Sequence, residues 1–245
     1  MILTGLASAV NVCGIALVDA GEYVIKIGAG SEEYNVLSDP ATMRIPTFND
    51  WSMDVKMNAP LPARNYGVLS CSGWDGSYLK EWKASIQVAT EEAPQQSQEW
   101  IERCVSGIDW EAESTKYVDS STKHVFIQAA LVALGYATVS TPLLGGVCVY
   151  GDGETAGKNE PKEEKISFKG HGAFTAGTIY PEIVSKMMSY RQALMVVNGA
   201  VPAEVISISG LGSGMGFLTK FEAESDGKTL KLALSVEGHG KPSFT

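Results

Sequence analysis

Leu230-Lys231-Leu232-Ala233-Leu234-Ser235-Val236-Glu237 alternates apolar and polar side chains without a break, and Asp226-Gly227 stands just before it. A period of two places one face in a core and the other in water, which is the pattern of a half-buried strand. Asp-Gly is a strong hairpin-turn dipeptide, so Phe217 to Ser225 is expected to be the partner strand. Working outward, the same alternation recurs in Tyr23, Ile25 and Ile27, in Trp82, Ala84, Ile86 and Val88, and in Ile166 and Phe168. Val205, Ile206 and Ile208 add a further short strand. Several such segments separated by Gly-bearing turns predict a mainly β fold, a β-sandwich or barrel-like domain with one or two flanking helices and long loops.

Two segments break the rhythm. Between Pro181 and Val197 the residues Ile183, Val184, Met187, Met188, Leu194 and Met195 recur at helical spacing. Pro181 suits a first turn and Asn198-Gly199 supplies a stop. A second helix is expected from about Pro94 to Val105, burying Trp100, Ile101, Cys104 and Val105 and ending at Gly107.

The chain also resembles itself. Ser167-Phe168-Lys169-Gly170-His171-Gly172, followed by Phe174-Thr175, matches Ser235-Val236-Glu237-Gly238-His239-Gly240, followed by Phe244-Thr245. Two copies this short do not make a solenoid. They read as two related strands, candidate neighbours in the sheet, that need flexible or positive-φ backbone where each leaves it.

Composition bounds the function. The 245 residues are 44% hydrophobic and 19% charged, enough to bury a large core without a metal or disulfide. No Pro, Ser or charge run divides the chain, so residues 1–245 are read as a single domain. The net charge of -9, from 28 acidic against 19 basic residues, disfavours a sequence-independent grip on nucleic acid. The first basic residue is Lys26, so Met1 to Val18 lacks the charged start of a secretory signal and reads as strand. Val125 to Val139 is interrupted by Gln128 and Gly135 and is too short to span a bilayer. Cys13, Cys71, Cys104 and Cys148 form no C-x-x-C pair and read as buried free thiols in a reducing compartment.

Candidate chemistry is thin. Gly210-Leu211-Gly212-Ser213-Gly214-Met215-Gly216 misses the dinucleotide-binding spacing and reads as a glycine-rich bend or bulge. Gly153 to Lys158 fails as a phosphate loop because Asp152 and Asn159 stand where Gly and Ser or Thr are needed. His171 and His239, with Cys148 or Cys104, lack the local ligand pairs of a zinc site. Cys71 with His124 as base is the nearest approach to a nucleophile, and no G-x-S-x-G elbow is present. Trp51, Trp74, Trp82, Trp100 and Trp110 suggest either core and interface aromatics or a glycan-stacking platform, the latter making a host-adhesion module. No enzyme activity, catalytic residue, cofactor or metal is expected. Gly151 to Lys165 is polar and nearly free of apolar residues, and is expected to be a surface loop touching a neighbouring subunit.

The C-terminal pattern, Lys165 to Thr175, then helix, then Leu230 to Glu237 ending Gly238-His239-Gly240-Lys241-Pro242-Ser243-Phe244-Thr245, resembles the major tail tube proteins of long-tailed bacteriophages over roughly residues 120 to 245. That resemblance implies a virion structural protein assembled in the host cytoplasm. Its β-sandwich subunits would join sheets into hexameric rings, stack them through a long loop, contact other tail proteins and conduct genomic DNA without specific binding. Gly151 to Lys165 is the candidate stacking loop, with Pro40 to Arg64 as competitor, and about 65–123 is a possible insertion. An acidic wall would repel phosphate and let a duplex slide. Strand edges completed by neighbours would also avoid random aggregation.

Overall fold

The computed structural model describes residues 2–5, 10–17, 20–35, 42–58, 70–71, 79–93, 98–118, 136–155, 162–197 and 199–244. Their strands are β1 (Ile2–Gly5), β2 (Val10–Val12), β3 (Ile15–Leu17), β4 (Ala20–Asn35), β5 (Thr42–Asn58), β6 (Ser70–Cys71), β7 (Leu79–Glu92) and β8 (Arg103–Val118). There follow β9 (Tyr136–Ser140), β10 (Leu144–Thr155), β11 (Lys162–Ala176), β12 (Glu204–Ile208), β13 (Gly212–Ser225) and β14 (Leu230–His239), with one helix, α1 (Pro181–Leu194), between β11 and β12. The strands form an antiparallel sheet in the order β1-β4-β5-β14-β13-β7-β8-β11-β10-β9-β6, and β12, β2 and β3 branch from β13. The protein is thus mainly β with a flanking helix, as its alternating segments predict.

Registers explain the two faces. Tyr23, Val55, Leu234, Phe221, Ile86 and Trp110 stand side by side across six strands, and all are buried. The next inward row is Met57, Leu232, Ala223, Ala84, Ala112 and Phe168, likewise buried. Each large apolar chain removed from water contributes roughly 2 kcal/mol, so these rows supply much of the stability. Helix α1 packs on β11, β8, β13 and β7 through Ile183, Val184, Met187 and Tyr190. Between the inward rows lie outward ones, Lys56-Ala233-Glu222-Ser85-Glu111-Lys169 and Lys231-Glu224-Lys83-Glu113-Ser167.

The expected hairpin is present. Asp226 accepts hydrogen bonds from the N–H groups of Thr229 (2.6 Å) and Lys228 (2.8 Å), and Gly227 takes φ 79°. The second expected helix is absent. Residues 94–97 lie outside the described residues, 98–102 form no helix, and Arg103–Val118 is strand β8. Arg103, Cys104 and Val105 pair with Glu92, Glu91 and Thr90 of β7, and β11 joins from Glu111 onward; this ladder outweighs a weak helical periodicity. Strand alternation then turns Cys104 outward and Arg103 inward. The segment expected to hold an insertion supplies β7 and β8, which run through the middle of the sheet.

The sequence repeat has a structural meaning, and its two strands are not neighbours. β14 lies between β5 and β13, and β11 lies between β8 and β10. The two sets are built alike. Trp51 in β5 and Trp110 in β8 each follow an aspartate whose carboxylate accepts from the Trp backbone N–H (2.7 and 2.8 Å). Each indole lies under two glycines, Gly214 and Gly238 for Trp51, Gly146 and Gly170 for Trp110. The next residues keep register too, Ser52 opposite Glu237 and Glu111 opposite Lys169. β4 matches β7, with Ile27 opposite Trp51 and Ile86 opposite Trp110. Gly172 and Gly240 both take positive φ, 78° and 69°; Gly240 follows the end of β14 as expected, whereas Gly172 sits at an irregularity within β11, which resumes pairing with β10 at Phe174. The copies differ at one bond. Trp51 Nε1 donates to Gly240 O at 3.1 Å, whereas Trp110 Nε1 is buried without a partner.

A methyl on Gly238 would stand 2.2 Å from the Trp51 indole and one on Gly170 2.4 Å from that of Trp110, while at Gly28 it meets nothing within 4 Å. Gly238→Ala and Gly170→Ala are therefore expected to lose about 1–3 kcal/mol in urea unfolding, and Gly28→Ala to change little. Equal effects at all three would show that the tryptophans yield freely.

Candidate assembly surface

Three features of the molecule are candidates for function: the outward face of the sheet, its open edges, and a charged cluster at the β7–β8 tip. On the outward face, charge is paired. Lys83 reaches Glu222 at 3.0 Å and Lys220 reaches it at 2.8 Å, while Lys165 pairs with Glu113, Lys26 with Asp54 and Lys56 with Glu22. Burial alone would raise the Glu222 carboxyl, but the hydrogen bonds and charges of Lys220 and Lys83 outweigh it and hold the group below its ordinary value. The shallow depressions on this face are lined by the same residues, Lys83, Glu111, Glu113, Ser167 and Lys169 among them. Such exposed pairs contribute little stability individually.

At the tip, Arg103 is almost fully buried and gathers carboxylates from three strands. Its two terminal nitrogens hold Asp50 at 2.5 and 2.8 Å, and Glu92 and Glu237 lie at 3.5 Å. Nη1 also donates to Gly238 O at 2.9 Å. The hydrogen bond to Asp50 is the main cause of a guanidinium held still more firmly protonated than usual. His239 Nδ1 lies 3.0 Å from the Arg103 backbone N–H, and its ring meets Phe217 edge-on. Residues 99–101 run beside Asn49, whose N–H donates to Glu99 O (2.7 Å). Arg103 thus ties the β7–β8 tip to β5 and β14. A groove of about 880 Å³ opens beside this tip, lined by Gly30, Phe48, Asn49, Glu92, Gln98 and Ile101.

The sequence candidates scatter. His239 is engaged at the Arg103 backbone, His171 is exposed in the irregular part of β11, and Cys148 is buried in β10. Among the described residues no three His, Cys, Asp or Glu come together as a metal site. The expected bend is confined to the turn at 209–211, with Gly210 at φ 80°; Gly212–Gly216 is the start of β13, paired in unbroken register with β12. The side chain of Cys71, and all of His124 and Trp74, lie outside the described residues. Cys104 is exposed rather than buried. Gly151 to Lys165 is no loop through Thr155 and from Lys162. Gly151 pairs with Ser167, Gly153 with Lys165 and Thr155 with Glu163, because ladder bonds need no apolar side chain; residues 156–161 lie outside the described residues. Pro40 to Arg64 is likewise strand β5 over Thr42–Asn58. The Arg103 cluster was missed, since its signal was a charge inside a segment read as helix.

No protein-family model matches the chain, and no curated protein is significantly similar to it in sequence. No helix among the described residues is long and apolar enough to cross a membrane.

Cys13 sits in the β2–β3 turn with Tyr190 Oη at 3.7 Å from its sulfur. Burial, the largest cause, pushes its thiol up to about 11. A thiol reagent at pH 8 is therefore expected to label Cys104 in the native protein and Cys13 only after unfolding; rapid native labelling of Cys13 would contradict its burial. In the acid range the signs are opposite. The N–H groups of Thr229 and Lys228 pull Asp226 from 3.8 to about 2, so its contribution is present above about 3.8 and lost as pH falls through about 2. NMR titration of the Asp226 carboxyl checks this. Arg103→Met would leave Asp50 without its bidentate partner in a half-exposed site, and is expected to cost about 2 kcal/mol, between the surface and buried limits.

Proposed function

We propose that this chain is a structural subunit that assembles with its own copies, as the rings of a phage tail tube do: six β units to a ring, rings stacked, and DNA passing through without being held. One observation carries the reading. A continuous outward face crosses β5, β14, β13, β7, β8 and β11 with lysines and carboxylates set against one another. Such a face suits a wall. Lys56, Lys83, Lys165 and Lys220 are engaged by carboxylates and the whole chain carries -9, so counterion release gives phosphate little to bind. The core and helix seal the other face, which leaves strand edges as the means of growth.

The glycan-binding alternative fares worse. Trp51, Trp82 and Trp110 are buried in the core, and Trp100 is half-buried against it, so these rings cannot form a sugar-stacking platform.

Electron microscopy of the purified protein is expected to reveal rings or tubes with an open channel. A monomer at high concentration across all salt conditions would contradict the proposal.

A further inference from the structure

The two matched halves differ in how their edges are finished. In β13, the edge away from β14 is shared: β12 takes Gly212–Gly216 and β7 takes Lys220–Ser225. β10 is the matching strand, since Gly216 lies opposite Gly238 as Cys148 lies opposite Gly170. There β9 takes Gly145–Val149, and from Tyr150 to Thr155 no strand among the described residues takes that edge. The matching gap lies at the other end of the sheet. β7 carries β13 on its outer edge, but β4, its counterpart, carries among the described residues only β1, over Tyr23–Lys26. β1 has four residues, and Ile2 at its start is 69% exposed.

The junction that joins β13 to β7 inside the chain therefore has a second half-site on β10 and a second on β4, at opposite ends of the strand path. A chain with one such edge at each end is a head-to-tail building block. Repetition of that contact closes a ring when the rotation permits.

We propose that the Tyr150–Thr155 edge of one copy pairs with the β4 edge of a second copy in the register that β13 uses on β7, displacing β1. Mapped through the matched strands, Lys220 opposite Gln87 becomes Gly151 opposite Gly28, and Glu222 opposite Ser85 becomes Gly153 opposite Lys26. Glycine at Gly151, Gly153 and Gly28 keeps the approach of the two backbones open. Each chain then contributes two β units, so a six-unit ring contains three chains rather than six. The ring count rests on the tube reading above; the edge pairing rests on the internal match alone.

The test is a Gly28→Cys, Gly151→Cys variant of the full chain with Cys71→Ser and Cys104→Ser, oxidised and run on a non-reducing gel, beside native mass spectrometry of the wild-type assembly. Crosslinked two-chain and three-chain species are expected, absent from either single-cysteine control, with three chains per native ring. A variant lacking residues 2–5 is expected to assemble as well as the wild type or better. Rings of six chains, or rings that never yield the crosslink, would overturn the inference and leave the tube reading standing. Three-chain crosslinked rings that never stack would uphold the inference and count against the tube. A strict monomer would overturn both.

Discussion

Everything in this molecule depends on the ladder between Lys220–Ser225 of β13 and Trp82–Gln87 of β7. Those pairs weld two similar half-sheets into one. Because the register is preserved across the weld, Phe221 and Ile86 fall in the same inward row and Glu222 and Ser85 in the same outward row. A slip of one residue would turn every side chain of a half-sheet to the wrong face. The apolar row fixes the alignment, and the continuous polar face follows from it.

The second constraint is the pair of indoles beneath paired glycines. Each tryptophan fills the space that Cβ atoms on its two glycines would otherwise need, and each Asp-Trp step anchors its own amide. The halves have diverged around this shared plan. Trp51 keeps an acceptor in Gly240, while the irregular His171–Ala173 stretch of β11 leaves Trp110 Nε1 without one. An unpaired buried donor of this kind costs about 1–3 kcal/mol. Elsewhere, Val55 and Leu232 of one half face the core where Ser114 and Glu164 of the other do so, Glu164 meeting Lys116 at 3.2 Å. One half is apolar where the other is polar.

Most of the sheet was legible in the sequence because its signal is local. Leu230, Leu232, Leu234 and Val236 alternate, and Asp226-Gly227 turns the chain. Helix α1 was equally plain from Ile183, Val184 and Met187. The strand β8 was hidden, since Trp100 to Val105 mimics helical spacing and only pairing with β7 reveals its true period. The polar ribbon Gly151–Thr155 was hidden for the opposite reason: its pairing with β11 runs through the backbone and leaves no apolar trace. The Gly-His-Gly repeat announced the kinship of β11 and β14, but the matching Asp-Trp steps of β5 and β8 became visible only when the registers placed each indole under its glycines. Arg103 and its carboxylates come from four strands, and no spacing along the chain brings Asp50, Glu92 and Glu237 together.

The account turns on the backbone edge of β10. Hydrogen exchange of assembled against dissociated protein reads it amide by amide. Protection gained on assembly at Tyr150–Thr155 and along the outer edge of β4 is the outcome the account requires. Unchanged exchange at both edges, with new protection confined to other surfaces, would contradict it.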